Sequence, residues 1–256
     1  MKPITDYRLF AATGDKLSAM GLGSVKFGRN HNIKNKSGEG KPLPSDKVLD
    51  SLLSQALELG INVIDTAPAY GTSEERLGQL LGARRERFFL MSKVGEEFDG
   101  QQSNYDFSPA HVKQSLARSL KRLKTDYLDC ILVHCRGSDY QDLYESQIFA
   151  TLNECKKQGL IRSFGASIYS EAACRYTLEH ADAVMIVYNI KETSNASLIS
   201  EAAAMGKGVF VKKALCQGFA ENTRSCLDFV LANAHVTSAI LGTTNINHMQ
   251  DWVKTI

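Results

Sequence analysis

Short apolar runs alternate with longer stretches of helical spacing along the whole middle of this chain, and that alternation constrains the fold more than any other feature. The runs are rich in Val, Ile, Phe and Leu: MGLGSVKF near residue 20, then INVID (61–65), FFLMSK (88–93), YLDCILVH (127–134), IRSFGAS (161–167), AVMIVYN (183–189), GVFVKK (208–213) and TSAILGT (237–243). The intervening segments place apolar residues three and four apart, as in SDKVLDSLLSQALELG, SPAHVKQSLARSLKRL and YESQIFATLNECKKQG. SEERLGQLLG, SEAACRYTLEH, NASLISEAAAMGKG and TRSCLDFVLANA read the same way, while the last, NINHMQDWVKTI, stops short. Eight strand–helix units in 256 residues imply an α/β fold, a parallel sheet closed into a (β/α)8 or TIM barrel, as a single domain over residues 1–256.

Local punctuation agrees. Ser45 is placed to cap one helix and Gly60 to end it, Ser108-Pro109 supplies an N-cap and a first-turn proline, and Gly159 follows the helix that begins near Tyr144. An open doubly wound sheet would want a glycine-rich turn leading into a helix. The one candidate, GLGSVKFG (21–28), has the wrong spacing and is read as opening no helix. Residues 29–47 are polar with Gly and Pro and read as a long loop. A short β-hairpin near Tyr7–Phe10 and Leu17–Ala19 is expected to cover the barrel floor, and the C-terminal helix and loop are expected to be truncated.

Composition narrows the function classes. The net charge of +2 gives no reason to expect nucleic acid or an acidic membrane as partner. There is no run of eighteen apolar residues and no apolar leader segment. Cys130, Cys135, Cys155, Cys174, Cys216 and Cys226 show neither C-x-x-C pairs nor zinc-ligand spacing. They read as reduced packing thiols of a cytoplasmic protein, and no metal site is expected.

In such a barrel, side chains at the C-terminal strand ends face the mouth, where active sites lie. Asp65 ends the second strand, Lys93 the third and His134 the fourth; Lys212 and Lys213 end the seventh; Tyr70 follows Asp65 by five positions. An ammonium beside the phenol is expected to lower its pKa from near 10, with the aspartate holding the lysine and the histidine orienting a carbonyl. Such a set would protonate a carbonyl oxygen as hydride reaches carbon.

The motifs GINVIDTAPAYGTSEERLGQLL (60–81), SKVG (92–95), SLKRLKTDYLDCILVH (119–134), KKQGLIRSFGAS (156–167), YNI (188–190) and TSAILGT (237–243) carry a resemblance to the aldo-keto reductase superfamily. The resemblance runs from about Leu22 to Met249. It implies an oxidoreductase that moves a hydride between NADPH or NADH and a small carbonyl or alcohol. Asp65, Tyr70, Lys93 and His134 then match the catalytic tetrad, with Tyr70 as acid and base. Gly23, Ser24, Ser167, Lys212, Lys213, Leu215, Gln217, Gly218, Thr243 and His248 match cofactor-binding positions. Three positions depart from the family pattern: Ile168 stands where an Asn often follows the serine, Met185 where a Gln is usual, and Lys212 where a stacked Tyr is common. After the eighth strand no Lys or Arg appears before Lys254, which argues for NADH over NADPH unless Lys213 or another loop cation compensates. Other readings are a nucleotide-binding regulatory or sensing barrel, and Schiff-base chemistry on Lys93 or Lys212.

Overall fold

The computed structural model describes residues 3–33, 40–218 and 220–254. Among them, eight parallel strands close into a barrel: β3 (Met20–Gly23), β4 (Val63–Asp65), β5 (Phe89–Val94), β8 (Cys130–His134), β9 (Phe164–Ser167), β10 (Ala183–Val187), β11 (Gly208–Lys212) and β12 (Ser238–Gly242). Closure comes where β12 pairs with β3, Leu241 opposite Leu22 and Gly242 opposite Gly23. This is the (β/α)8 barrel expected from the alternation, and closure leaves its wall without the open edges of a flat sheet.

The helices pack outside the wall. They are α2 (Asp46–Glu58), α3 (Ser73–Leu80), α4 (Pro109–Leu123), α6 (Ile148–Lys157), α7 (Glu171–His180), α8 (Ala196–Ala204), α9 (Thr223–Leu231) and α10 (Ile246–Val253). Their caps follow the sequence. Ser45 Oγ accepts from Val48 N and Ser108 Oγ from His111 N, and Gly60 (φ +81°) and Gly159 (φ +77°) end their helices left-handed. Leu49, Leu52, Leu53 and Ala56 of α2 are all buried, three and four apart as an amphipathic helix requires.

The barrel's lower end is plugged by a hairpin, β1 (Tyr7–Phe10) with β2 (Asp15–Ser18). Phe10 drives its ring between Phe89 and Phe210, at centroid distances of 5.6 and 5.9 Å in edge-on geometry. With Leu17, Val63, Met91 and Leu132 these rings make a core inside the barrel, so the interior is solid below the mouth.

Three local departures from the sequence reading concern the mouth. GLGSVKFG does lead into a helix, the single turn α1 (Val25–Gly28). The helix expected from Tyr144 is two helices, α5 (Asp139–Ser146) and α6, broken at Gln147 in left-handed conformation (φ +52°). The break lets α5 turn Asp139 to the loop after β9, where its carboxylate accepts from Tyr169 N, Ser170 N and Ser170 Oγ. Finally, a hairpin of β6 (Glu96–Phe98) and β7 (Ser103–Tyr105) rises from the end of β5. Its turn is built on Asp99, whose Oδ1 accepts from Gln101 N and Gln102 N, and on Gly100 at φ +100°.

One backbone contact fixes the segment that carries Tyr70. A Cβ on Gly71 would lie 2.2 Å from Gly28 O, and Gly71 sits at φ +60°. Only glycine meets both demands. Gly71→Ala is expected to lose about 1–3 kcal/mol of stability in urea unfolding at unchanged m-value. An unchanged midpoint would mean that the α1 turn and the Tyr70 segment are not held by this contact.

Candidate active site

The strand ends bring the four tetrad candidates together. Asp65 closes β4 with its carboxylate in the mouth, 4 % exposed. Lys93, on the neighbouring strand β5, is 1 % exposed and uses all three ammonium protons: Asp65 Oδ1 at 2.5 Å, Thr66 O at 2.9 Å and the Tyr70 hydroxyl at 3.1 Å. Tyr70 sits on a 3-10 turn, Pro68–Tyr70, started by Pro68, and its hydroxyl reaches Asp65 Oδ2 at 3.4 Å. His134 ends β8, its ring 6.1 Å from the Tyr70 ring and nearly perpendicular to it.

The electrostatics of the phenol run opposite to the sequence expectation. Burial, then Asp65 and then Glu96 hold the Tyr70 pKa well above the ordinary tyrosine range. The reason lies in the distances. The ammonium at 3.1 Å favours the phenolate and the carboxylate oxygen at 3.4 Å opposes it. Coulomb energies scale as 1/r, so a carboxylate this near offsets much of the ammonium's effect. What remains is desolvation, joined by the Glu96 carboxylate, and the resting phenol is a protonated donor.

These groups stand at one side of a cavity of about 1110 Å³. Ligand pockets usually span about 300–1,000 Å³, so there is room for a dinucleotide with a small substrate. Gly23, Ser24, Ser167, Lys212, Lys213, Leu215, Gln217, Gly218 and His248 all line it. Thr243 does not: it is buried, and its Oγ1 accepts from Asn245 N at 3.0 Å and lies 3.3 Å from His248 Nδ1, so it holds the loop that presents His248. Ser24 lines the cavity, yet its hydroxyl is committed below it, donating to Asp65 O at 2.9 Å and accepting from Ser73 Oγ at 2.8 Å. Lys212 donates to Ser167 Oγ at 2.9 Å, and its Nζ lies 3.7 Å from the centre of the Tyr169 ring. An aromatic ring thus stands beside the nicotinamide-binding candidates after all, supplied by the loop after β9 rather than by β11.

The loop after β11 has the backbone of a ligand clamp. Lys213, Cys216 and Gln217 all have φ near +50 to +60°, unusual for residues with a Cβ. Buried Asn189 ties it down, donating from Nδ2 to Lys213 O at 3.1 Å and accepting from Cys216 Sγ at 3.5 Å. Beyond it, Asn222 caps α9, and Asn222, Thr223, Arg224 and Lys254 line the same cavity. Arg224 and Lys254 also touch Asp228 and Asp251. Cationic side chains are therefore offered to the cavity by Arg224 in the first turn of α9, ahead of the eighth strand, and by Lys254 just past α10. Volume, a strained backbone clamp and a cationic wall together fit a dinucleotide phosphate.

Sequence reasoning also missed Glu96 and Tyr105. Both line the cavity from the β6–β7 hairpin, and Glu96 Oε2 lies 2.9 Å from His134 Nδ1. The Asp-Gly pair at the hairpin turn was the available signal.

A family model described as the Aldo/keto reductase family matches residues 19–225. The chain belongs to this family. A solved structure from Pseudomonas aeruginosa, named for the same family, superimposes with a TM-score of 0.90 at 42% identity, covering 99% of this chain and 95% of that one. An uncharacterized oxidoreductase of Bacillus subtilis is 37% identical over 155 residues, 59% of this chain and 45% of its own length. The NADH-specific methylglyoxal reductase of Escherichia coli is 30% identical over 189 residues, 68% of this chain and 56% of its own length. The matches thus span about half the length of these curated relatives.

The raised phenol can be read optically. The folded-state midpoint of Tyr70 lies above the unfolded value near 10, so folding holds the proton on, and that hold is lost only as pH rises through the folded midpoint. The tyrosinate absorbance of the native protein minus that of Tyr70→Phe is expected to be flat up to about pH 10. A component in that difference titrating near neutrality would show an acidified phenol instead.

Proposed function

We propose that the barrel mouth transfers a hydride between a nicotinamide dinucleotide and the carbonyl carbon of a small aldehyde or ketone, or the reverse from the alcohol. The observation that carries this reading is the 3.1 Å bond from the fully buried Lys93 ammonium to the Tyr70 hydroxyl, at the wall of a cavity large enough for both reactants. The dinucleotide, when bound, supplies or accepts the hydride.

The chain's own residues handle the proton and the oxygen. In reduction the Tyr70 hydroxyl gives its proton to the carbonyl oxygen as negative charge develops there. Lys93 stabilises the phenolate left behind, and Asp65 keeps Lys93 in place and charged. His134 orients the carbonyl from the neighbouring strand. A phenol that rests protonated suits the acid role directly. In oxidation the same group takes the proton from the alcohol, so the pH must supply the phenolate. Lys213, Arg224 and Lys254 are the cations offered to the dinucleotide phosphates, with the α9 N-terminus beside them. The 30%-identical relative is named for methylglyoxal reduction, which supports a small carbonyl as substrate.

Tyr70→Phe is expected to lower kcat for aldehyde reduction by about 100- to 10,000-fold while the dissociation constant of NADPH or NADH, read from nicotinamide fluorescence, changes little. Full activity of Tyr70→Phe on every accepted substrate would end the assignment.

A second reading has one observation behind it. Ser167, the serine matching the nicotinamide-carboxamide contact, already accepts from Lys212, and Met185 replaces the usual amide beside it. A barrel that binds the dinucleotide and senses it would need no more. Tight cofactor binding without turnover across a panel of aldehydes would favour this reading.

The cationic wall gives a separate expectation. Arg224→Ala and Lys254→Ala together are expected to weaken NADPH by about tenfold or more, one charge-assisted contact, while NADH changes by less than about threefold. Equal weakening of both cofactors would place these cations elsewhere than at a 2′-phosphate.

A further inference from the structure

Glu96 is a carboxylate that the tetrad does not need. It is 4 % exposed, it lines the cavity, and it stands on the β6–β7 hairpin with its Oε2 at 2.9 Å from His134 Nδ1. It also contributes to holding the Tyr70 proton on. A carboxylate is not kept in so enclosed a place without a cationic or hydrogen-bonding partner. The hairpin that brings it there is an insertion between β5 and α4, outside the strand–helix frame.

We propose that Glu96 is the positioning residue for His134: its carboxylate turns Nδ1 of the ring toward the hairpin and holds the ring as the imidazolium, so that Nε2–H is the donor offered to the substrate oxygen. This inference rests on the reading of the cavity as a carbonyl-reducing site. At 2.9 Å from Nδ1 the carboxylate is an adjacent counter-charge, which favours the charged ring and its orientation, as a carboxylate does behind a metal-binding or triad histidine. Two protons then point at one oxygen, the Tyr70 hydroxyl and the imidazolium N–H, and the site is built to receive developing negative charge.

Among the described residues Glu96 is an adjacent counter-charge to the ring, and the other charged and titratable groups nearby have contacts of their own. Tyr70 approaches from the turn after β4 as a neutral ring. Lys93 is neutralised by Asp65. Arg136, two residues beyond His134, is held by Asp142 and lies 5.9 Å from the Tyr105 ring. Lys212 reaches Ser167, the residue paired with His134 across β9, and faces Tyr169.

The test is a histidine side-chain titration by long-range nitrogen–proton correlation NMR, in the full chain with and without saturating NADPH. His134→Gln assigns the resonance among the six histidines of the sequence. In Glu96→Gln, which keeps the shape and removes the charge, the His134 midpoint is expected to fall by about one pH unit or more, the least shift produced by removing an opposite charge at this range. Glu96→Asp, shorter by one methylene but still charged, is expected to lie between the two and keeps the test open should Glu96→Gln fold poorly. The pH at which kcat/KM for aldehyde reduction falls is expected to move down by the same amount, with KM for the dinucleotide unchanged. The same His134 midpoint in native protein and both variants overturns the proposal. So does a loss of activity that is uniform in pH with the ring titration unmoved, which is what a merely structural role gives. Because the ring titration needs no turnover, failure of the carbonyl-reducing reading would show separately, as absent activity in the native protein.

Discussion

Everything at the mouth depends on one buried ammonium. Lys93 is as enclosed as the leucines around it, and an isolated charge there would be costly beyond what a single domain can sustain. It is tolerated because three protons meet three acceptors: the Asp65 carboxylate, the Thr66 carbonyl and the Tyr70 hydroxyl. Taking away either charged member of such a pair strands the other, at about 3–5 kcal/mol. The same bond set answers why an aspartate ends the apolar run INVID and why a tyrosine follows it. Asp65 is the counter-charge, and Tyr70 is the third acceptor, placed by a proline-started turn and a Gly28–Gly71 backbone contact.

That arrangement gives the phenol a character different from the one its lysine neighbour alone would suggest. Carboxylate and ammonium lie almost equally far from the hydroxyl, so their fields largely cancel and burial decides the outcome. The resting site is neutral at the tyrosine and charged just behind it.

The barrel was legible in the sequence because it rests on local patterns: apolar runs every thirty residues or so, Ser45 and Ser108 as caps, Gly60 and Gly159 as stops. The gathering of Asp65, Tyr70, Lys93 and His134 was legible for a related reason, since strand ends in such a barrel converge by construction. What stayed hidden lies in the connecting segments. Nothing near Gln147 announces a break, because a glutamine there takes a left-handed conformation usually left to glycine. Glu96 reads as one acid of a charged pair, and only the hairpin's fold turns it to His134 while Glu97 accepts from Ser115 and Arg118. Arg224 and Lys254 lie far apart in sequence and both line the cavity, one from the first turn of α9 and the other just past the end of α10. Tyr169 follows β9, and its contact with Lys212 of β11 joins two strands that are not neighbours.

The central claim, that Lys93 acts on the substrate only through Tyr70, is tested most directly by a double-mutant cycle on kcat/KM for aldehyde reduction. Tyr70→Phe and Lys93→Met are measured singly and together, with folding checked by thermal unfolding. The expected result is strong non-additivity, the double variant falling within about threefold of the worse single one, as for groups that work as a unit. Losses that multiply would contradict the account, because each residue would then be acting without the other.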